Sequence, residues 1–155
     1  MKTFRRIVAT SLAALMIMVM GTTAFAATAP GGSLVDGSYT AKQNLYKNVE
    51  CTNPSMGDKA LNDLRANITI DGDNATLTVN THEISYLGIK GHLSEMEING
   101  QIGDFVKVGS TYSFTFTGLD KNMISNDCVI EGQFTTEVAK MPKKSTGYLK
   151  LSDIK

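Results

Sequence analysis

Residues 36–155 read as an all-β domain of about eight short strands in two packed sheets, with one short helix between the first two strands. Three observations predict this. Apolar residues recur with a period of two in run after run, the spacing of half-buried strands. Turn residues such as Asn99-Gly100, Gly109-Ser110, Gly118, Asn126-Asp127 and Gly132 separate these runs at short intervals. Only one stretch, 56–64, has helical character. Many short strands with frequent turns suggest an immunoglobulin-like β-sandwich.

In chain order, Lys2, Arg5 and Arg6 precede an uncharged apolar run over 7–20, and Ala24-Phe25-Ala26 follows. This is the anatomy of a secretory signal peptide, assigned to 1–26, with cleavage expected after Ala26. The apolar run is short for a membrane span, which needs about 20 residues. No membrane span is expected after cleavage. The C-terminal residues carry no apolar tail or wall-sorting pattern. The protein is therefore expected to be extracellular, either free or held at the cell surface by a partner. Pro30, Gly31 and Gly32 mark 27–35 as a linker, and structure should begin at Asp36-Gly37.

Ser55 or Asn53 is positioned to cap the helical stretch, with Asp58 in its first turn. Ala66, Ile68 and Ile70, a turn at 71–74, then Ala75, Leu77 and Val79 predict a hairpin. Tyr112, Phe114 and Phe116 alternate with Ser and Thr, as do Phe134, Thr136 and Val138 with polar neighbours. Gly147, Leu149 and Leu151 close the chain on one face of a strand, with Tyr148 on the other.

Without residues 1–26 the chain carries 12 Lys+Arg against 15 Asp+Glu, a net charge of −3. That balance has no electrostatic footprint for nucleic acid. Cys51 and Cys128 are the two cysteines. An exported chain can keep a disulfide between them, or they can remain free thiols.

Catalytic patterns are weak, and no enzyme is expected. His82-Glu83 begins like a zinc-protease helix motif, but Tyr86 stands where the second His is required. His82 and His92 are the only histidines and have no recognised ligand spacing. What remains is apolar: Met56 at the helix start, Tyr86, Leu87 and Ile89 after the hairpin, Met141 before Pro142, and Tyr148 in the last strand. Such residues suit a pocket for a flat apolar ligand between the helix and a strand pair.

Three segments together resemble the NEAT (near-iron transporter) domains of Gram-positive haem-uptake surface proteins. Asp36-Gly37-Ser38-Tyr39 is similar to the family's opening. Asn53-Pro54-Ser55-Met56-Gly57-Asp58-Lys59-Ala60-Leu61 looks like its short lip helix. Ile84-Ser85-Tyr86-Leu87-Gly88-Ile89-Lys90-Gly91-His92-Leu93 is similar to its aromatic and glycine-marked stretch. The similarity is good over 36–98 and weaker beyond.

The resemblance implies an immunoglobulin-like sandwich and haem bound between the lip and the last hairpin. Function would then be capture and relay of haem for iron acquisition. The partners implied are a host haemoprotein or another surface haem-relay protein. An alternative is a protein-recognition module of the same fold that binds no haem. By position, Ser55 would contact a propionate. The family's iron-ligating Tyr-x-x-x-Tyr pair is not intact: if Tyr148 is the second Tyr, Lys144 stands at the first. Met56 and Met141 are then the candidate haem-iron ligands, thioether sulfur being an axial haem ligand. The same residues also suit apolar packing at a pocket rim. Tyr86 and Tyr148 are candidates for stacking on the porphyrin, and Lys143 and Lys144 for meeting its propionates.

Overall fold

The computed structural model describes residues 33–155, so the segment 1–26 and most of the linker 27–35 lie outside the described residues. Among the described residues ten strands run in order: β1 (Gly37–Tyr46), β2 (Arg65–Asp71), β3 (Asn74–His82), β4 (Ile84–Tyr86), β5 (Ile89–Ile98), β6 (Gln101–Ile102), β7 (Asp104–Val108), β8 (Thr111–Asp120), β9 (Val129–Val138) and β10 (Met141–Ser152). The period-two runs form strands, as in β3, where exposed or half-buried and buried residues alternate without a break. The strands beyond about eight are short pieces such as β4 and β6, too short to show a period.

Every strand pairing is antiparallel, in the order β4-β5-β9-β10-β1-β2-β3-β8-β7, with β6 beside β5. β1 makes this path a sandwich. Its first half, Gly37 to Lys42, pairs with β2, and its second half, Lys42 to Tyr46, pairs with β10. One strand thus belongs to both sheets. Leu45, Leu93, Met96, Phe134 and Leu149 from one sheet, with Ile68, Leu77, Val79, Phe114 and Phe116 from the other, form one buried core. Gly132 and Gly147 pair across β9 and β10, and Phe134 packs over them. A Cβ on Gly147 would stand 2.8 Å from the Phe134 ring, and one on Gly132 2.5 Å from the Glu97 carbonyl oxygen.

The predicted helix over 56–64 is shorter and tighter: a 3-10 helix over Met56–Ala60, followed by a turn. The reason is geometric. Gly57 is pressed between Leu45 and Leu93, so the segment follows the surface of the sheet rather than extending as a free cylinder.

The bridge allowed between Cys51 and Cys128 is not formed; both are free thiols. Cys51 lies in the loop beyond the C-terminal end of β1. Cys128 accepts at its carbonyl from Leu151 N, at the rung where Leu151 pairs with Gln43. Cys51 thus lies beyond the Tyr46–Tyr148 end of the β1–β10 ladder, and Cys128 beside the Gln43–Leu151 rung. Among the described residues no helix is long and apolar enough to cross a membrane.

Candidate functional site

Strand pairing decides which residues share a face, because partners across an antiparallel ladder point the same way. Ile84 pairs with Gly91 and Tyr86 with Ile89. Gly91 pairs with Val138, and Val138 with Met141. Leu93, Thr136 and Lys143 form the next row. These residues make one wall, built from the ends of β4, β5, β9 and β10. Leu93 belongs to it, and Leu93 packs against Gly57 of the 3-10 helix, so the wall faces that helix. Lys59 completes the contact, with its Nζ 5.8 Å from the centre of the Tyr86 ring.

The helix is held in place by polar bonds as well as packing. Ser55 Oγ accepts from Gly57 N at 3.3 Å and caps it. Asp58 Oδ1 accepts from Leu45 N at 2.7 Å and from Asn44 Nδ2 at 3.3 Å, tying the helix across to β1. Its sequence position suggests only a first-turn acid; the bond to a distant backbone N–H is visible in the structure alone. Met56 is exposed on the helix, and Tyr86, Ile89 and Met141 are exposed on the wall. The result is an apolar ledge left uncovered between a lip and four strand ends.

Of the residues singled out from sequence, Ser55, Met56, Tyr86 and Met141 lie on the lip or on the wall facing it. Tyr148 and Lys144 do not. β9 and β10 pair without a register shift from Met141 to Lys150, so Met141, Lys143, Ser145 and Gly147 point one way and Lys144 and Tyr148 the other. Gly147 is buried against Phe134 and Leu45, which fixes the first set as inward. Lys144 is bound on the outer face by Glu97, at 3.0 Å, and Glu95, at 3.4 Å. Hydrogen bonds to these two carboxylates raise its pKa above the ordinary lysine value. The spacing that paired Lys144 with Tyr148 at the site is therefore corrected: the i, i+4 pair of β10 beneath the lip is Met141 and Ser145. Lys59, Ile84 and Val138 are the wall and lip residues that the sequence reading missed.

The histidines serve elsewhere. His92 stacks on Tyr112 with ring centres 4.8 Å apart, and His82 Nδ1 lies 2.8 Å from the Glu83 carbonyl oxygen. Among the described residues no group of three or more His, Cys, Asp and Glu is arranged to hold a metal ion. A cleft of about 460 Å³ opens between β1 and the segment that follows the helix, lined by residues such as Lys42, Gln43, Asn62 and Arg65. Its polar lining does not suit a flat apolar ligand.

No family model and no curated protein matches the chain by sequence. Solved structures do match by fold. The chain resembles the NEAT5 domain of IsdX2, a B. anthracis haemophore, in complex with haem, with TM-score 0.55 and 11% identity over 76% of this chain and 97% of that one. A point mutant of the same domain, also with haem, gives TM-score 0.56 and 12% identity over 77% of this chain and 97% of that one. The chain thus shares the fold of these two structures.

Proposed function

We propose that this protein captures haem on the ledge between the Met56–Ala60 helix and the ends of β4, β5, β9 and β10, and relays it for iron acquisition without chemical turnover. The observation that carries the reading is the register of β10. Met141 lies on the wall under the lip, and in the resemblance that wall is where the iron ligand belongs. The residues present fit haem. The ledge is apolar and exposed, Tyr86 offers an aromatic face, and Lys59 and Lys143 supply cations for carboxylates. Met141 would hold the iron from the strand side and Met56 from the lip. Ser55, whose oxygen already caps the helix, would donate its hydroxyl hydrogen to a propionate. When bound, haem supplies the iron that is the cargo; the protein's residues bind it, orient it and shield it from water.

One observation favours a second reading, a protein-recognition module of the same fold without haem. No Tyr stands among the inward residues of β10 over 141–147.

An absorption titration of the processed chain with haem in both redox states tests the proposal. A saturable Soret shift at one equivalent is expected, abolished by Met141→Ala and unchanged by Tyr148→Ala. A spectrum no different from that of haem with an unrelated protein would shift the assignment to the second reading.

A further inference from the structure

Among the described residues, three two-residue turns have both central residues at positive φ. Asn99-Gly100, between β5 and β6, has φ of 52° and 73°. These are residues that such a turn favours. Leu87-Gly88, between β4 and β5, has φ of 49° and 78°, nearly the same backbone with a leucine in place of the asparagine. Ala139-Lys140, between β9 and β10, has φ of 51° and 63° with no glycine or asparagine at all. The left-handed region disfavours side chains of these types. The favourable turn is at one end of β5. The two unfavourable ones lie side by side at the other end, next to the candidate site, because Gly91 pairs with Val138.

Leu87 gains nothing inside the molecule for this strain. It is 86% exposed, the highest value among the exposed large hydrophobic residues. Strain held at an exposed site points to a role outside the fold. Tyr86 and Ile89 flank it, both exposed. The surroundings are cationic: Lys59 on the helix, Lys140 at the neighbouring turn and Lys143 on the wall, none of them in an ion pair among the described residues. Two of the acids nearby are engaged, and Glu137, the third, stands on β9 with its neighbours in sequence Thr136 and Val138 turned to the wall, so its own side chain is on the opposite face. Glu83 bonds Lys90 at 2.9 Å, and Asp58 bonds Leu45 N. A cationic, apolar tip on a chain of net charge −3 beyond residue 26 is a local reversal of charge.

We propose that the Leu87-Gly88 turn, with Lys140 and Lys143 beside it, docks this protein onto an anionic lipid surface. The charge complements acidic headgroups. The convex apolar tip needs no matching socket, since a fluid interface closes around it. Docking would bring the open side of the ledge to the lipid, where an apolar ligand such as haem partitions. That last role rests on the haem reading above; the docking itself does not.

The test is co-sedimentation of the processed chain with vesicles of equal parts phosphatidylglycerol and phosphatidylcholine, and with phosphatidylcholine alone. Association with the anionic vesicles is expected, weakened by salt. Leu87→Asn should reduce it by about tenfold, the effect of withdrawing one leucine from an apolar phase. Lys140→Ala should reduce it by about fivefold. Leu87→Asn suits its backbone, so it should melt at or above the wild-type temperature and is no folding mutant. The chain has no Trp, so Leu87→Trp is a sole reporter whose emission should shift to the blue on anionic vesicles. Failure of the wild type to sediment, equal binding to phosphatidylcholine alone, undiminished binding by Leu87→Asn, or an unshifted emission would each overturn the proposal. The first result would leave Leu87 to a protein socket. A Soret titration of the same samples separates the two readings: haem uptake without vesicle binding removes only the docking, and vesicle binding without haem uptake removes only the haem.

Discussion

Replacing Asp58 with alanine removes the acceptor for Leu45 N and nothing from the core. Leu45 is 1% exposed, and its N–H loses a carboxylate acceptor in a part-buried place. A buried backbone donor left unpaired costs about 1–3 kcal/mol, and the lost acceptor is a carboxylate, so about 2 kcal/mol is expected. The second bond, from Asn44 Nδ2 at 3.3 Å, is longer and less buried and adds little. For a domain of this size that corresponds to a fall in Tm of about 8 °C. Asp58→Asn keeps a carbonyl oxygen in the same place and should lose less than about 1 kcal/mol. The assay is thermal and urea unfolding of the three proteins side by side, with haem release followed in parallel. The helix is tied to β1 through Asp58, so under the proposed haem-binding function Asp58→Ala should also release haem faster. If the alanine and asparagine variants both melt with the wild type, Asp58 does not anchor the lip, and the structural account of the ledge fails at its first step.

Gly132→Ala should destabilise the fold by about 1–3 kcal/mol, because its Cβ would stand 2.5 Å from the Glu97 carbonyl oxygen, a backbone atom that cannot rotate away; urea midpoints check this, and an unchanged midpoint would contradict the β5–β9 register. A thiol count on the unfolded protein without reductant should give two free thiols per chain, with the melt identical in oxidant and reductant. Burial raises the pKa of Cys128 above the ordinary thiol value, so its labelling by a maleimide at neutral pH should be slow and should quicken on unfolding. Fast labelling of Cys128 in the native state would show that the segment before β9 is open.

How much of this was legible beforehand varies along the chain. The hairpin of β2 and β3 was readable because its alternation is unbroken and its turn rich in Gly, Asp and Asn. β4 and β6 were not, since three and two residues cannot display a period. The helix was readable as an element but not in its 3-10 form, which depends on Gly57 meeting Leu45 and Leu93. The last strand is the instructive case. Gly147, Leu149 and Leu151 already put Tyr148 on the opposite face, whereas resemblance to a Tyr-x-x-x-Tyr pattern drew Tyr148 into the site. The register follows the alternation: a strand turns its apolar set to the core, and an even-numbered neighbour cannot join it without a bulge.

The sequence alone determined the all-β class, the position of the short helix and the apolar character of the residues around it, because these follow from local period and composition. Tertiary structure decided which of those residues meet. β1 had to pair with two different strands, and Asp58 had to reach a backbone N–H 13 residues away. Four strand ends had to fall into register before Tyr86, Val138 and Met141 could form one wall. Contacts of that kind depend on chain closure over long separations, and no local pattern encodes them.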